Sequence, residues 1–233
     1  MGQPPAYQYD EFRQVGTDYA DPAEAAQYDN AHADFRDIDR ECHETLARLE
    51  LRPGDTLVDF GCGTGRLAVH AAQLGLRVIA VDISPAMLAQ ARAHAARAGA
   101  PGIRFVHAGF LTYTHDGPPA AAVTASLALH HLPDLWKGVA LLHIRDLLET
   151  GGQFSLQDVV LPAAGVTARI DAFVQRQHHR GGDYLKHDAE THFREEYSTY
   201  DWIMDGLLQR ASFTIEDRTW ADGVFAHYLC RAE

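Results

Sequence analysis

The sequence lacks any apolar run of the roughly 18 residues that a membrane-spanning helix needs. Its first residues contain no basic segment followed by an apolar core, so they have the pattern of neither a secretory signal peptide nor a transit peptide. We therefore expect a cytoplasmic protein that makes no membrane contact.

Cysteine and positive charge are also scarce. The three cysteines, Cys42, Cys62 and Cys230, are an odd number and lie far apart, which predicts neither disulfides nor a cysteine-based metal site. Acidic residues outnumber Lys and Arg by 32 to 20, and the formal charge of −12 would repel a phosphate backbone. These scarcities argue against nucleic acid as a partner.

The first 30 residues show neither helical nor strand periodicity and are predicted to form an arm. The arm could fold over a ligand, with Tyr19 and Tyr28-Asp29 as candidate contacts, or it could be a disordered tail. Residues 31–233 are predicted to form one domain. It begins with an amphipathic helix, because apolar residues recur at helical spacing at Phe35, Ile38, Cys42, Leu46 and Leu49.

Apolar runs alternate with helix-like segments from residue 56 to residue 160, which is typical of a parallel sheet covered by helices. The predicted strands are 56–60, 77–81, 103–106, 122–127 and 153–160, with helices at 67–74, 87–98 and 135–148, the last closing at Gly151-Gly152. The alternation stops between residues 161 and 200, where an inserted cap is predicted. A helix at 201–210 precedes two β-rich runs, 213–220 and 224–230, which are separated by the hairpin signal Asp222-Gly223.

This order predicts an α/β fold: a doubly wound, mostly parallel seven-stranded sheet with helices on both faces and an antiparallel C-terminal hairpin.

Residues 57–65 read LVDFGCGTG, a predicted strand that runs into three glycines at the start of a helix: Gly61, Gly63 and Gly65. Glycine has no Cβ to keep a ligand away from the backbone, and the first helical turn offers unpaired N–H groups. A dinucleotide-binding loop has its third glycine five residues after the first, but Arg66 stands there. The acidic Asp82 ends the next predicted strand. The pattern favours an adenosine-type cofactor over a nicotinamide dinucleotide.

The glycine loop and Asp82 together resemble those of the Rossmann-like (class I) S-adenosylmethionine-dependent methyltransferases of the small-molecule type. The resemblance continues through residues 121–134, 151–160 and the terminal hairpin, but not through the predicted cap. It implies that S-adenosylmethionine is the cofactor, that Asp59 orients the loop or the cofactor's ammonium, and that Asp82 accepts both ribose hydroxyls. It also implies cofactor contacts at Gly61, Cys62, Gly63, Gly65, Ile83, Met87, Gly109, Phe110 and Leu127. Alternatively, the glycines only make a turn and Asp82 only caps the next helix.

The chain departs from this family after the third predicted strand. Many members have an acidic residue there for the adenine amine, whereas this chain reads His107-Ala108-Gly109-Phe110. Backbone groups, with Phe110 stacked on the ring, would then have to hold the adenine.

The end of the fourth predicted strand bears on the methyl acceptor and on metal use. Residues 126–129 read SLAL, without the Asn/Asp-Pro-Pro-aromatic motif of enzymes that methylate exocyclic amines. His130-His131 follow where metal-dependent catechol methyltransferases have an aspartate for magnesium, an ion that prefers oxygen ligands. We expect no obligatory metal, since a second candidate set also lacks a standard ligand spacing: His178, His179, His187 and His192.

Two groups of residues are candidates for catalysis or acceptor binding. His130 and His131 could act as base or substrate contact, because imidazole titrates near neutral pH; alternatively one shapes the loop and the other faces solvent. In the predicted cap, the candidates are His192, Arg194 and Tyr197. Arg194 would pair with an acceptor carboxylate, and Tyr197, Tyr200 or Trp202 would form an apolar or cation-binding wall. Alternatively, this run is a solvated helix start with internal ion pairs.

The function these residues favour is S-adenosylmethionine-dependent methyl transfer to a small-molecule acceptor. The alternatives are a non-catalytic S-adenosylmethionine-binding protein with a regulatory or assembly role, and a nicotinamide-dependent oxidoreductase, against which Arg66 argues. The sequence leaves the acceptor, the attacking atom and the oligomeric state open.

Overall fold

The computed structural model describes residues 5–13, 15–16, 21–22, 25 and 37–233. The strands are β1 (Thr56–Phe60), β2 (Arg77–Asp82), β3 (Arg104–His107), β4 (Ala120–Ser126), β5 (Leu148–Leu161), β6 (Thr199–Tyr200), β7 (Phe213–Ala221) and β8 (Phe225–Ala232). The α-helices are α1 (Ile38–Arg48), α2 (Arg66–Gln73), α3 (Pro85–Arg97), α4 (Asp134–Leu147), α5 (Val166–Glu195) and α6 (Asp201–Arg210). No helix in these ranges is long and apolar enough to cross a membrane.

The strands form one sheet in the order β3-β2-β1-β4-β5-β8-β7, with β6 paired to β5. β1 to β5 are parallel, while β8 runs antiparallel to both β5 and β7. The order reverses between β1 and β4, and ligands of doubly wound sheets bind at the carboxyl ends of the strands at such a point. The predicted fold class is confirmed, with the two-residue β6 as an additional strand.

Successive residues of a strand face opposite sides of the sheet, and the core is divided accordingly. In β1, Leu57 belongs to one buried cluster with residues of α1, α2 and α3. Val58 belongs to another, with residues of α4 and α6. The helices therefore cover both faces, and the ends of β1 and β4 lie between two packed layers.

Most helices and strands lie where short local sequence patterns predict them. Ser84 caps α3 by accepting a hydrogen bond from Met87 N, with Pro85 in the first turn. Asp222 and Gly223 both have positive φ, 50° and 74°, as the predicted hairpin turn requires.

One predicted boundary is wrong. α4 does not close at Gly151-Gly152 but ends at Leu147, and β5 begins at Leu148. The pairing of β4 with β5 shifts register between Ala120 and Ala122, so these glycines lie in an irregular part of the strand, where Gly151 has a φ of +81°.

The segment predicted as a cap consists largely of α5, which is two helical pieces. Gly181 and Gly182 interrupt it with non-helical angles, and Gly182 has a φ of 65° and a ψ of −152°. Residues of α5 pack with Leu161 and Val224 in a third, smaller buried cluster. Helix α5 therefore covers the ends of the antiparallel strands.

At the amino end, α1 begins after Asp37, whose side chain accepts a hydrogen bond from Arg40 N. The predicted helix position Phe35 and the predicted arm contacts Tyr19 and Tyr28-Asp29 lie outside the described residues.

Candidate functional site

The glycine loop lies at the carboxyl end of β1, and all three of its glycines have positive φ. A Cβ on Gly61 would lie 2.3 Å from Ala128 Cβ, and one on Gly65 would lie 2.8 Å from Ala91 Cβ. Gly63 has no atom within 4 Å of that position. Gly61 and Gly65 thus allow close packing within the protein, whereas Gly63 leaves its backbone open to a ligand.

Asp82 at the end of β2 holds this loop in place. Its carboxylate accepts hydrogen bonds of 2.8 Å from Gly63 N and from Ser84 N. Burial raises the pKa of Asp82, and these backbone donors oppose the rise. A carboxylate has further acceptor capacity, so Asp82 can order the loop and still accept hydroxyl groups of a ligand.

Asp59 lies beneath the loop in β1. Its Oδ1 accepts a 2.7 Å hydrogen bond from Thr124 Oγ1 in the neighbouring strand β4. Burial, together with a smaller effect of Asp82, raises the pKa of Asp59 to about 7, although the hydrogen bond from Thr124 lowers it.

A pocket, here called the loop pocket, opens above these groups. Eight of the predicted cofactor residues line it: Gly61, Gly63, Asp82, Ile83, Met87, Gly109, Phe110 and Leu127. Asp59, Cys62 and Gly65 do not line it; Cys62 packs in the core and Gly65 precedes α2 as its N-terminal cap residue. The ring of Phe110 stacks on Phe60, with centroids 5.0 Å apart.

The arm contributes an acid to the loop pocket. The Glu11 carboxylate accepts hydrogen bonds from Leu111 N, at 3.0 Å and 3.1 Å, and from Thr112 Oγ1, at 2.7 Å. It lies next to Gly109, because a Cβ there would be 2.3 Å from Glu11 Oε2. An acidic group thus lies beside the residues that follow β3, although residues 107–110 contain none.

A second cavity of about 520 Å³, here called the α5 cavity, lies under α5. Phe173, Phe193 and Phe225 contribute apolar wall, and α1 contributes Glu41 and Arg48. The cavity shares Leu127 and His131 with the loop pocket. Leu127 follows β4 directly and has a φ of 52°, a backbone conformation that residues other than glycine rarely adopt. The two cavities therefore meet at the switch point of the sheet.

Histidine and carboxylate side chains come together at the inner end of the α5 cavity. His130 Nδ1 lies 2.5 Å from Asp158 Oδ1, and its Nε2 lies 3.1 Å from Glu196 Oε2. His192 Nδ1 lies 2.6 Å from the same Glu196 oxygen. Burial lowers the pKa of His130, but the two carboxylates outweigh burial and raise it to about 9. Burial alone would raise the pKa of Glu196, but the two histidines beside it have the larger effect and hold this pKa below its usual value.

His131 differs from its neighbour. Burial, and then the charge of His130, lower its pKa to about 4, so its imidazole is neutral at physiological pH.

Other predicted residues lie away from the α5 cavity. Arg194 is exposed and pairs with Glu195, 3.0 Å away. It does not line the α5 cavity and so does not face an acceptor bound there. Tyr197 packs edge-on against Tyr9, and the exposed Tyr200 and Trp202 stack on each other. Of the four histidines considered for a transition metal, His192 lies at the cavity and the others are exposed on α5.

Three acids and a lysine at the site were not predicted from the sequence: Glu11, Asp158, Glu196 and Lys137. Asp158 interrupts an apolar run and Glu196 stands four residues after His192, and both patterns were available signals. Lys137 is buried and donates to Asp134 Oδ1 at 2.8 Å and to the Tyr197 carbonyl. It thereby fixes the residue that follows Glu196.

Comparison with known proteins points to methyltransferases. A family model described as "Methyltransferase domain" matches residues 57–152. An uncharacterized methyltransferase of Geobacillus sp. is 24% identical over 182 residues, which are 78% of this chain and 80% of that protein. A ribosomal protein L11 methyltransferase of Yersinia pseudotuberculosis is 36% identical over 136 residues, which are 57% of this chain but 44% of that protein. Human N-acetylserotonin methyltransferase, solved in complex with SAM, aligns with a TM-score of 0.62 and 18% identity over 91% of this chain and 57% of that one. At this identity the likeness shows the fold.

Proposed function

Because the chain belongs to the Rossmann-like S-adenosylmethionine-dependent methyltransferases, we propose that it methylates a small molecule held in the α5 cavity. One observation carries the proposal: Leu127 and His131 line both the loop pocket and the α5 cavity. A methyl donor in the first and an acceptor in the second would meet at these two residues.

The residues of the loop pocket fit the cofactor. The open space at Gly63 lets a ligand contact the backbone, and Asp82 offers carboxylate oxygens to a pair of hydroxyls. Glu11 would accept a hydrogen bond from the adenine amine beside Gly109, in place of the acid that residues 107–110 lack. When bound, S-adenosylmethionine supplies an electrophilic methyl group on a sulfonium.

The volume of the α5 cavity supports a small acceptor. About 520 Å³ lies within the range of roughly 300–1,000 Å³ that is usual for small-molecule sites. Its phenylalanine walls suit an apolar body, and the histidines suit a polar end. The match to the ribosomal protein L11 methyltransferase covers less than half of that protein, so its protein acceptor is not carried over.

His131 would orient the acceptor. Its neutral imidazole has a lone pair that accepts a hydrogen bond from an acceptor O–H or N–H. Alignment of that heteroatom with the methyl group and exclusion of water are the main requirements of an in-line displacement. His131 lines both cavities, so it is placed to orient the acceptor beside the methyl donor.

The test uses S-adenosylmethionine labelled in its methyl group, incubated with the protein and a cell extract that is afterwards separated into small-molecule and protein fractions. We expect enzyme-dependent label in the small-molecule fraction. Gln157→Phe should slow this transfer by placing a bulkier, apolar side chain in the wall of the α5 cavity, while S-adenosylhomocysteine still binds, because Gln157 does not line the loop pocket.

Gln209→Phe is the matched control, since Gln209 is exposed on α6, and it should transfer label at the wild-type rate. Label found in the protein fraction, or full activity of Gln157→Phe, would show that the acceptor is not a small molecule in this cavity.

A further inference from the structure

Three side chains from separate parts of the chain converge at the inner end of the α5 cavity. His130 follows β4, His192 lies in the last turn of α5, and Glu196 follows that helix. One ring nitrogen of each histidine and a Glu196 oxygen all lie within 4.8 Å of one another. Ligands about 2.0–2.2 Å from one ion stand roughly 3 Å apart. His130 Nε2 lies 3.1 Å from Glu196 Oε2, and His192 Nδ1, which lies 2.6 Å from the same oxygen, would have to move outward slightly to bind the ion.

Each histidine is held through the nitrogen that faces away from this point. His130 Nδ1 is bonded to the buried Asp158, and His192 Nε2 lies 2.8 Å from Ser198 Oγ. Histidines that bind metals are usually oriented in this way, with the second ring nitrogen bonded to a carboxylate or another polar group. The arrangement leaves His130 Nε2 and His192 Nδ1 facing Glu196.

Glu196 supplies an independent observation. Its side chain is only 8% exposed, yet its Oε2 has no hydrogen-bond partner among the described residues. The ring nitrogens of His130 and His192 lie 3.1 Å and 2.6 Å from this oxygen, so in the metal-free protein they balance its charge as ion pairs. A cation between the three groups would take over this role from the two imidazoles, which would then bind it as neutral ligands.

We propose that His130, His192 and Glu196 bind one divalent transition-metal ion at the wall of the α5 cavity. Two imidazoles and one carboxylate suit Zn²⁺ or Fe²⁺, whereas Mg²⁺ prefers oxygen ligands alone. Three protein ligands leave at least one coordination position open, and it would face the cavity that all three residues line.

This inference deepens the proposed function. The metal site itself does not depend on that function, but the identity of the ligand at the open position rests on it. If the α5 cavity holds the methyl acceptor, that acceptor would carry a heteroatom able to bind the ion, such as a hydroxyl, carboxylate or thiol. The expectation of no obligatory metal rested on two other residue sets, His130-His131 for magnesium and the four histidines of residues 178–192. The set proposed here combines one histidine from each with Glu196.

The experiment measures metal binding without turnover. Untagged full-length protein is freed of metal with a chelator and titrated with Zn²⁺ against a competing indicator dye, and Co²⁺ is added separately to record its visible spectrum. We expect one equivalent of Zn²⁺ and a cobalt spectrum typical of nitrogen and oxygen ligands. His192→Ala should weaken Zn²⁺ binding at least 100-fold, and Glu196→Gln at least 10-fold.

His187→Ala is the matched control, because His187 is exposed on the same helix and should not affect binding. Circular dichroism and binding of S-adenosylhomocysteine show whether each variant is folded. Less than a tenth of an equivalent in the wild type, or equal titrations for the wild type and His192→Ala, would overturn the metal site. Either result would leave the methyl-transfer proposal standing. Intact Zn²⁺ binding together with failed methyl transfer would support the metal site and refute the proposed function.

Discussion

Asp59→Asn is expected to stabilise the cofactor-free protein, and to do so more strongly as the pH rises. Burial shifts the pKa of Asp59 from 3.8 to about 7, so the folded chain binds this proton more tightly than the unfolded chain does. The stability due to the proton is complete below pH 3.8, decreases as the pH rises to 7, and is absent above 7. At about 1.36 kcal/mol for each pKa unit, the full difference is about 4 kcal/mol, of which about 3 kcal/mol is lost between pH 5 and pH 8. The asparagine cannot ionise, and its side-chain oxygen can still accept the hydrogen bond from Thr124.

The assay is urea unfolding of both proteins at pH 5, 6, 7 and 8. The gain from the substitution should grow by about 3 kcal/mol over this range, equivalent to about 6–12 °C in melting temperature for a chain of this length. Asp146→Asn makes the same chemical change at an exposed position and should show no such trend. Parallel pH profiles for the wild type and Asp59→Asn would refute the claim that Asp59 is buried with a raised pKa.

Two further substitutions test the loop pocket. Gly61→Ala should destabilise the protein by about 2 kcal/mol or more, because the new Cβ would lie 2.3 Å from Ala128 Cβ. It should also weaken S-adenosylhomocysteine binding, measured by calorimetry, at least tenfold. The control Gly99→Ala, with a similar φ of +67° and open space around it, should change stability but not binding. Glu11→Ala should speed amide hydrogen exchange at Leu111, whose N–H bonds to this carboxylate, and unchanged exchange there would contradict the placement of the arm.

Much of the fold could be predicted because its signals are local. The strand runs, the Ser84 cap and the Asp222-Gly223 turn each depend on a few adjacent residues. The end of α4 was predicted wrongly because Gly151 looks like a helix stop, and only pairing with β4 shows that the chain is already extended at Leu148.

The cofactor side of the site was also accessible from sequence, since the glycine loop and Asp82 lie in one short motif. The acceptor side was not, because its groups are brought together by tertiary structure. His130, for example, meets Asp158 on the next strand. The cofactor side has one such group too, since Glu11 reaches Leu111 across 100 residues. Nothing in the spacing of His192 and Arg194 indicates that the first faces a cavity and the second faces solvent.

The junction at Leu127 and His131 has a consequence for how this enzyme can change. Among the described residues, these are the two that line both cavities. The remaining walls of the α5 cavity come from other elements, including α1, α5 and the C-terminal hairpin, while the loop pocket is built around the ends of β1, β2 and β3. Selection for a new acceptor could therefore act on one set of segments without disturbing the other. A mutant library confined to α1, α5 and the hairpin should yield altered acceptor specificity far more often than lost cofactor affinity.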